Sequence, residues 1–514
     1  VIYPSDGILN ITFTKPIQLF ENTTRITDTT FTTDAFMVTV NNNNYLFAFP
    51  QKIAIEKKQN TLSLTNPQRV FIGLLDKPEH FTLFKNNSGV DIIDTQISPA
   101  IAADKLETTY QLMTSTNNPP LIALYPHQYD FLSSQQQVLG EYQTLRGSLK
   151  LIQTNTFTTS MPLTTPDGTF TKLDKDYPDL VNQIIADTDV ILKEKIPESK
   201  DYYLGVWLNK GITLLQLADA YGLEKQKQQL MHKLEPVFEN SIQQFNYNKE
   251  KTSVIAQFPE FGNEDLNDHH FHYGYYLRTA AVLANFDLPY LQKIKKQVDL
   301  MASDIATIER DSQQFPFLRN FDVYEGHSWA DGRGDTEDGN NQESTSEAIN
   351  AWYGVYLWAK ITNNPNLQKY ALYLYNTEIV GAQYYWFDSQ HIYTTPYAHA
   401  IASIVWGGKV DFATWFSNDT NMKYGIELLP FTPASTYLGK LPAFTPYDID
   451  YHTTGSEKKP WGDLFLMWKS YYQPKNALKD KNMVTKIQDG NTRSLFLYTL
   501  YKNMEQQKII SPRP

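Results

Sequence analysis

The chain has 514 residues, enough for about three or four domains and a large hydrophobic core. Its 45 basic and 56 acidic residues give a formal net charge of −11, which excludes the basic surface that nucleic-acid binding requires. Without cysteine, the protein has no disulfide, thiolate metal site or cysteine nucleophile, and no apolar run approaches the ~18 residues of a membrane span.

Short apolar segments separated by turn residues characterise the first part of the chain. From Asn10 to about Glu141, runs of apolar residues alternate with clusters of Asn, Pro and Gly, which is typical of antiparallel strands and hairpins. This pattern predicts a β-sandwich over residues 1–141. Its strands are expected at Tyr45–Phe49, Lys52–Ile55, Thr61–Leu64, Val70–Leu74 and Phe81–Phe84.

The next segment mixes both periodicities, and the rest of the chain is helical. Residues 142–200 combine a strand-like Ser148–Ile152 with a helix-like Leu180–Leu192, which predicts a small α/β connector domain. Residues 201–514 contain roughly ten helical segments in consecutive pairs, separated by long loops rich in Gly, Asp, Asn and Trp. Paired helices in this number indicate a toroid of helical hairpins, and loops of such length are usually functional.

A histidine-rich segment is the first candidate for a functional site. His269, His270 and His272 lie beside Asp268, and because imidazole is the commonest zinc ligand, a metal site is one interpretation. Adjacent histidines cannot both face one site from regular structure, however, and no His-Glu-x-x-His pair is present. The pattern therefore favours a site without metal.

Asp268 is a candidate proton donor. The aromatic residues Phe271, Tyr273, Tyr275 and Tyr276 follow it, and apolar walls raise the pKa of a carboxylic acid because they disfavour the anion. The competing interpretation is a helix N-cap, since Asp before an apolar helix is common. The residues alone leave both interpretations open.

A second acidic segment follows a long loop rich in Gly, Asp and Trp. Glu343 and Glu347 are four residues apart, at the start of a helix predicted to continue to Ala359, so both carboxylates are expected on one helix face. Within the first turn, the helix dipole would favour the ionised form of Glu343 and suit it to act as a base. A solvent-exposed acidic first turn is the structural alternative.

A neutral carboxylic acid paired with an ionised carboxylate, among aromatic residues, is typical of glycoside hydrolysis. At this point the sequence resembles glycoside hydrolase family 81, the endo-β-1,3-glucanases. The similar segments occur in family order over most of the chain. They are Tyr125–His127, Arg146–Gly147, Asp268–Gly274, Gly326–Ala330, Asn341–Ala348, Trp406–Lys409, and Leu429–Pro430 with Thr432–Pro433.

The resemblance implies an N-terminal β-sandwich, a small α/β domain and a C-terminal (α/α)6 barrel, with a cleft that hydrolyses β-1,3-glucan by inversion and without a metal or other cofactor. Asp268 matches the family's acid. The family's base region matches Glu343 and Glu347, and we expect Glu343 to be the base and Glu347 to orient water or charge around it. An inverting pair should lie roughly 6.5 to 9.5 Å apart to leave room for water.

Five further residues are expected to bind substrate, two as aromatic platforms and three as partners of sugar hydroxyls. They are Trp329 and Trp406, then His272, His327 and Lys409. For either tryptophan, packing against a helix end is the alternative. We further expect a monomeric protein, secreted or at the cell surface, whose partner is a β-1,3-glucan. The competing functions are a non-catalytic glycan-binding protein and a histidine-dependent metal hydrolase.

Overall fold

The computed structural model describes residues 1–4, 7–393, 397, 399, 401–441 and 446–506. Contacts within the chain divide it into two compact units, the first rich in sheet and the second in helix. The first comprises Val1–Ser98 and Glu107–Met161, and the second Pro99–Leu106 and Pro162–Pro514. The three-domain division, with boundaries after residues 141 and 200, stays a prediction.

A seven-stranded antiparallel sheet organises the N-terminal unit. Its strands are β1 (Ile8–Thr12), β2 (Gln18–Glu21), β3 (Thr24–Ile26), β4 (Thr30–Val40), β5 (Asn43–Lys58), β6 (Thr61–Thr65) and β7 (Phe71–Leu75). They lie in the order β1-β6-β5-β4-β2-β3, and β7 also pairs with β5. Two of the predicted strands are therefore segments of the single long strand β5.

Both faces of this sheet are buried. Along β4, Phe36 and Val38 belong to one apolar cluster, while Ala35 and Met37 belong to another. Successive side chains in a strand point to opposite faces, so the alternation assigns one cluster to each face. Two covered faces explain why the strands contain continuous apolar runs instead of a strict alternation with polar residues.

One predicted strand of this unit is wrong. Residues Phe81–Phe84 lie in helix α1 (Phe81–Asn87), which follows a short 3-10 turn at Pro78–His80. Phe81 and Phe84 are three residues apart and both are buried in the cluster that covers one sheet face. An apolar run this short does not distinguish a strand from a helix turn by its periodicity.

Two three-stranded sheets complete the strands before residue 163. Between α1 and the helical unit the elements are β8 (Ile92–Ala102), β9 (Lys105–Thr114), β10 (Leu121–Leu124), α2 (Pro126–Tyr129), β11 (Gly140–Thr144), β12 (Gly147–Gln153) and β13 (Thr156–Pro162). The sheets have the orders β10-β12-β11 and β13-β9-β8. The predicted strand at Ser148–Ile152 is confirmed as part of β12.

The second unit consists mainly of helices in consecutive pairs. Its α-helices are α3 (Pro178–Lys193), α4 (Tyr202–Ala220), α5 (Glu224–Ile242), α6 (His269–Phe286), α7 (Leu288–Ala306), α8 (Thr345–Ile361), α9 (Pro365–Gly381), α10 (Thr420–Gly425), α11 (Pro446–Thr453), α12 (Gly462–Tyr472), α13 (Pro474–Asp480) and α14 (Arg493–Gln506). Helix α4 packs on α5, α6 on α7, α8 on α9 and α12 on α13. Helix α14 packs against α3 and α4, so the chain returns to the first helices of the unit.

The loops that connect the helices contain short paired strands. They are β14 (Phe245–Asn248), β15 (Ser253–Ala256), β16 (Phe321–Asp322), β17 (His327–Ser328), β18 (Asn341–Gln342), β19 (Ile404–Trp406) and β20 (Val410–Asp411). Strands β18, β19 and β20 form one sheet in that order. Of the helices in the described ranges, none combines the length and apolar character needed to cross a membrane.

Helices α6 and α8 approach each other closely because small residues meet at their crossing. A Cβ atom added to Gly274 of α6 would lie 2.6 Å from the Cα of Ala351 in α8. A Cβ atom on Gly354 would similarly lie 2.8 Å from the carbonyl oxygen of Gly274. This contact brings together the two helices whose first residues follow Asp268 and Glu343.

Candidate active site

The three clustered histidines face different surroundings. Nδ1 of His269 lies 2.6 Å from Oδ2 of Asp304, and Nδ1 of His272 lies 2.9 Å from Oδ1 of Asp201. The ring of His270 stacks instead on a buried tryptophan. In the part of the chain that the structure describes, no three His, Asp or Glu side chains are grouped to hold a metal ion.

Asp268 occupies the N-cap position of α6 without capping the helix through its side chain. Its backbone has φ 58° and ψ 16°, a left-handed conformation that is uncommon for residues other than glycine, and its N–H donates to the carbonyl oxygen of Ala330 at 2.9 Å. The residue therefore stands at the cap position, as the second interpretation expects, but its carboxyl group does not cap the helix, and its role as a proton donor stays a prediction. Strained backbone of this kind concentrates at functional sites.

The surroundings of Asp268 favour its neutral form. Burial raises the pKa of Asp268 to about 8, and the negative charges of Glu343, Glu347 and Asp331 act in the same direction, while the charge of His272 opposes them. The carboxyl group is therefore largely protonated near pH 7. Because the charges of Glu343 and Glu347 raise the pKa of Asp268, the three carboxyl groups interact electrostatically.

Glu343 does not lie in the first turn of a helix, so that prediction is wrong. It follows β18 and precedes α8, which begins at Thr345 and ends at Ile361. Its Oε1 accepts a hydrogen bond from the backbone N–H of Trp415 at 3.1 Å. Burial raises the pKa of Glu343 to about 7, the N–H of Trp415 lowers it and the charge of Glu347 raises it.

Glu347 is the carboxylate that lies in the first turn of α8. It is buried, and its Oε1 accepts hydrogen bonds from the hydroxyl groups of Tyr275 at 2.6 Å and Tyr202 at 2.8 Å. Burial raises the pKa of Glu347, while both tyrosine hydroxyls and the charge of His272 lower it. Two hydroxyl donors on one oxygen fix the orientation of this carboxylate.

Ala330 connects the backbone segments that carry Asp268 and Glu343. It accepts from the N–H of Asp268, and its own N–H donates to the carbonyl oxygen of Asn341 at 2.7 Å. Its side chain packs in an apolar cluster with Phe271 and Ala348. Because Asn341 begins β18, only Gln342 separates this backbone ladder from Glu343.

Only one of the four aromatic residues expected around Asp268 reaches the carboxylates. Tyr275, seven residues after Asp268 in α6, bonds to Glu347. The hydroxyl group of Tyr273 donates to Val254, and that of Tyr276 donates to the carbonyl oxygen of Asp201. Phe271 belongs to the apolar cluster with Ala330. Helical periodicity explains the difference, because positions 268, 272 and 275 share a face.

The two histidines expected to bind sugar hydroxyls are buried. His272 is 1% exposed, pairs with Asp201, and its charge acts on the pKa of Asp268. His327 is 0% exposed, and its ring contacts Trp329 and Trp386 at centroid distances of 4.6 and 5.0 Å. Direct contact of His327 with a sugar would require its exposure, so the structure favours a packing role for it.

The remaining expected substrate residues lie on loops. Trp329 is half-buried and lines an open cavity of about 280 Å³ with Asp331. Trp406 is buried in β19, opposite Asn341 of β18. Nζ of Lys409 lies 4.8 Å from the centroid of the Trp406 ring and forms salt bridges with two aspartates of neighbouring segments. Their roles in substrate binding stay predictions.

Three residues of the site were missed by sequence reasoning. Asp201 and Tyr202, at the start of α4, contact His272 and Glu347 respectively, and Trp415 contacts Glu343. These contacts join positions that are at least 71 residues apart in the chain, and 145 residues apart for Tyr202 and Glu347. The sequence feature that could have indicated Tyr202 is the Tyr202-Tyr203 pair, which directly follows Asp201, where the helical region begins.

Comparisons with known proteins agree on one family. A model described as "Glycosyl hydrolase family 81 C-terminal domain" matches residues 173–497. A glucan endo-1,3-beta-D-glucosidase of Acetivibrio thermocellus is 34% identical over 441 residues, or 80% of this chain and 56% of the relative. Another from Thermobifida fusca is 26% identical over 501 residues, or 92% of this chain and 64% of the relative.

The structural comparison agrees with these sequence matches. A solved structure of a mutant glycoside hydrolase family 81 protein from Clostridium thermocellum superposes with a TM-score of 0.85 at 30% identity, covering 96% of this chain and 71% of that one. The present chain spans only 56% and 64% of the length of the two curated relatives described above.

Proposed function

Because the chain belongs to glycoside hydrolase family 81, we propose that it is an inverting endo-β-1,3-glucanase that hydrolyses internal bonds of laminarin-type or curdlan-type glucans. One observation carries the proposal. Two carboxyl groups in one electrostatic cluster, Asp268 and Glu343, have pKa values raised to about 8 and about 7, so an acid and a base can coexist near neutral pH.

Asp268 is the proposed general acid. In its protonated form it donates a proton to the glycosidic oxygen as the bond to the anomeric carbon breaks. Its carboxyl group makes no capping hydrogen bond to the first N–H groups of α6, which would stabilise the anion. The local fold thus supports the protonated state that this step needs.

Glu343 is the proposed general base. It removes a proton from a water molecule that attacks the anomeric carbon from the opposite face of the sugar, and the product has the inverted configuration. The N–H of Trp415 bonds to Oε1, and the side chain of Thr414 also hydrogen-bonds to the carboxyl group, so the base is held in place from the loop after β20. Glu347, held by Tyr202 and Tyr275, is proposed to orient this water and the charge around it.

The proposed architecture of the helical unit is an (α/α)6 barrel. The consecutive helix pairs and the packing of α14 against α3 and α4 support a closed ring of helical hairpins. The proposed substrate contacts include Trp329, Trp406 and Lys409, with His272 close to the acid. We propose further that the protein acts as a monomer on glucan outside the cell or at its surface.

The proposal is tested on linear β-1,3- and β-1,4-glucans digested side by side, with the anomer of the first products followed by NMR. We expect the α-anomer from the β-1,3 polymer alone. Asp268→Asn should abolish the release of reducing sugar while glucan binding is retained, and a chelator should have no effect. A β-anomer at early times would contradict inversion, and constant reducing ends with the wild-type protein would favour a binding protein.

A further inference from the structure

Two pairs of neighbouring aromatic side chains are exposed in the helical unit. Trp415 and Phe416 are 65% and 56% exposed, and Tyr203 and Phe261 are 54% and 52% exposed. Large apolar side chains grouped at the surface mark a binding site more often than single exposed residues do. We call the first pair the Trp shelf and the second pair the Tyr shelf.

The Trp shelf adjoins the proposed base. The backbone N–H of Trp415 donates to Glu343, and its indole meets the ring of Trp406 edge-on, with 5.7 Å between centroids. The ring of Phe416 lies 5.9 Å from that of Trp461. Each exposed ring therefore rests on a less exposed indole, which supports it in a defined orientation.

The Tyr shelf adjoins Glu347 and His272. The rings of Tyr203 and Phe261 lie 5.8 Å apart, and each is 5.3 Å from the ring of Tyr202, whose hydroxyl group donates to Glu347. Phe261 also contacts the ring of His272 at 6.2 Å. This shelf comes from the start of α4 and the loop before α6, whereas the Trp shelf follows β20.

The backbone at Phe261 gives independent support for a binding role. Its φ is +51°, in the left-handed region that a bulky side chain rarely adopts. Such strain costs free energy, persists only where the surrounding structure holds it, and clusters at functional sites. Here it accompanies the display of a phenylalanine ring to solvent beside the carboxylates.

We propose that the two shelves bind glucosyl units on opposite sides of the scissile bond, and that their competition for the chain decides which bond is cleaved. The inference rests on the proposed glucanase function. The C–H faces of glucose rings stack on aromatic rings, and the shelves reach the carboxylate cluster from different segments, one through Glu343 and the other through Tyr202 and Glu347. A chain that contacts both shelves is held across the acid and the base.

The test is the cleavage pattern of a β-1,3-linked glucose hexasaccharide digested in ¹⁸O-water, with mass spectrometry to identify the bond broken. The double variants are Trp415→Ala with Phe416→Ala, and Tyr203→Ala with Phe261→Ala. Each should move cleavage toward the binding register that uses the remaining shelf, so the two variants should shift the pattern in opposite directions. We expect the ratio of cleavage at neighbouring bonds to change about 3- to 10-fold, the range of one aromatic contact.

The ratio is measured within one reaction, so it does not depend on the fraction of folded enzyme. Tyr3→Ala, which truncates an exposed aromatic residue of the N-terminal unit, should retain the wild-type pattern. Shifts in the same direction, or an unchanged pattern in both double variants, would overturn the proposed role of the shelves and leave the glucanase proposal intact. Failure of the wild-type protein to cleave the hexasaccharide would overturn both proposals.

Discussion

The two tyrosine hydroxyls on Glu347 predict a specific change in the pH dependence of hydrolysis. In the wild-type protein, activity should fall as pH drops through about 7, where Glu343 becomes protonated, and as pH rises through about 8, where Asp268 loses its proton. For independent groups, about 60% of molecules have the required protonation states at pH ~7.5 and about 9% at pH ~6. We therefore expect a narrow bell-shaped profile of kcat/KM.

Replacing Tyr202 and Tyr275 by Phe removes both hydroxyl donors from Glu347. A hydrogen bond to a charged group contributes about 1.5–3 kcal/mol, so each loss raises the pKa of Glu347 and favours its neutral form. The charge of Glu347 raises the pKa values of Asp268 and Glu343. Its neutralisation should therefore shift both limbs of the profile to lower pH.

The expected shift is about 1 pH unit. Two like charges ~10 Å apart at an effective dielectric constant of ~20 repel by about 1.7 kcal/mol, which corresponds to roughly 1 pKa unit. The assay is reducing-sugar release from laminarin between pH 5 and pH 10. Because the two carboxyl groups interact, the apparent pKa values of the limbs belong to the pair and not to either residue.

A matched control removes a tyrosine hydroxyl away from the site. The hydroxyl group of Tyr290 in α7 donates to the carbonyl oxygen of Glu235, so Tyr290→Phe makes the same chemical change without affecting Glu347. It should leave both limbs in place. Unmoved limbs in the double Tyr→Phe variant, or limbs that move to higher pH, would refute the assigned electrostatic role of Glu347.

Two further predictions concern the framework of the site. Gly274→Ala would place a methyl group against Ala351, so we expect a lower Tm and a loss of about 1–3 kcal/mol of unfolding free energy. The control is Gly89→Ala, which should change Tm little because the added Cβ atom would meet open space. Asp304→Ala leaves His269 without its buried carboxylate partner and should cost about 3–5 kcal/mol in a denaturant titration. A change below ~1 kcal/mol would contradict the structural importance of this pair.

Features with strong local periodicity were predictable from the sequence. The helix expected at Leu180–Leu192 is α3, and the strand expected at Thr61–Leu64 is β6. In both, the residues that must be buried repeat at the period of the element, so tertiary structure and local pattern agree. Asp268, Glu343 and Glu347 were also singled out from the sequence, by the histidine-rich segment beside Asp268, by the four-residue spacing of the glutamates and by the resemblance to the family.

The local geometry of the base was not predictable in the same way. The spacing of Glu343 and Glu347 fits a helix, but the segment before Ser344 pairs as β18 with β19, about 60 residues later in the chain. Such pairing depends on tertiary structure and overrides the local pattern. The same limitation concealed Tyr202 and Trp415, whose contacts with the glutamates arise only when distant segments meet.

The separation of Glu343 from the helix has a chemical consequence. In the first turn of α8, a carboxylate lies near free N–H groups and the positive end of the helix dipole, which stabilise its anion and weaken it as a base. Outside the helix, Glu343 accepts from the N–H of Trp415 and from the side chain of Thr414, and burial still raises its pKa to about 7. A base whose pKa lies near the working pH removes a proton from water more effectively than an ordinary surface glutamate. Burial outside the helix therefore gives Glu343 the basicity that its proposed role requires.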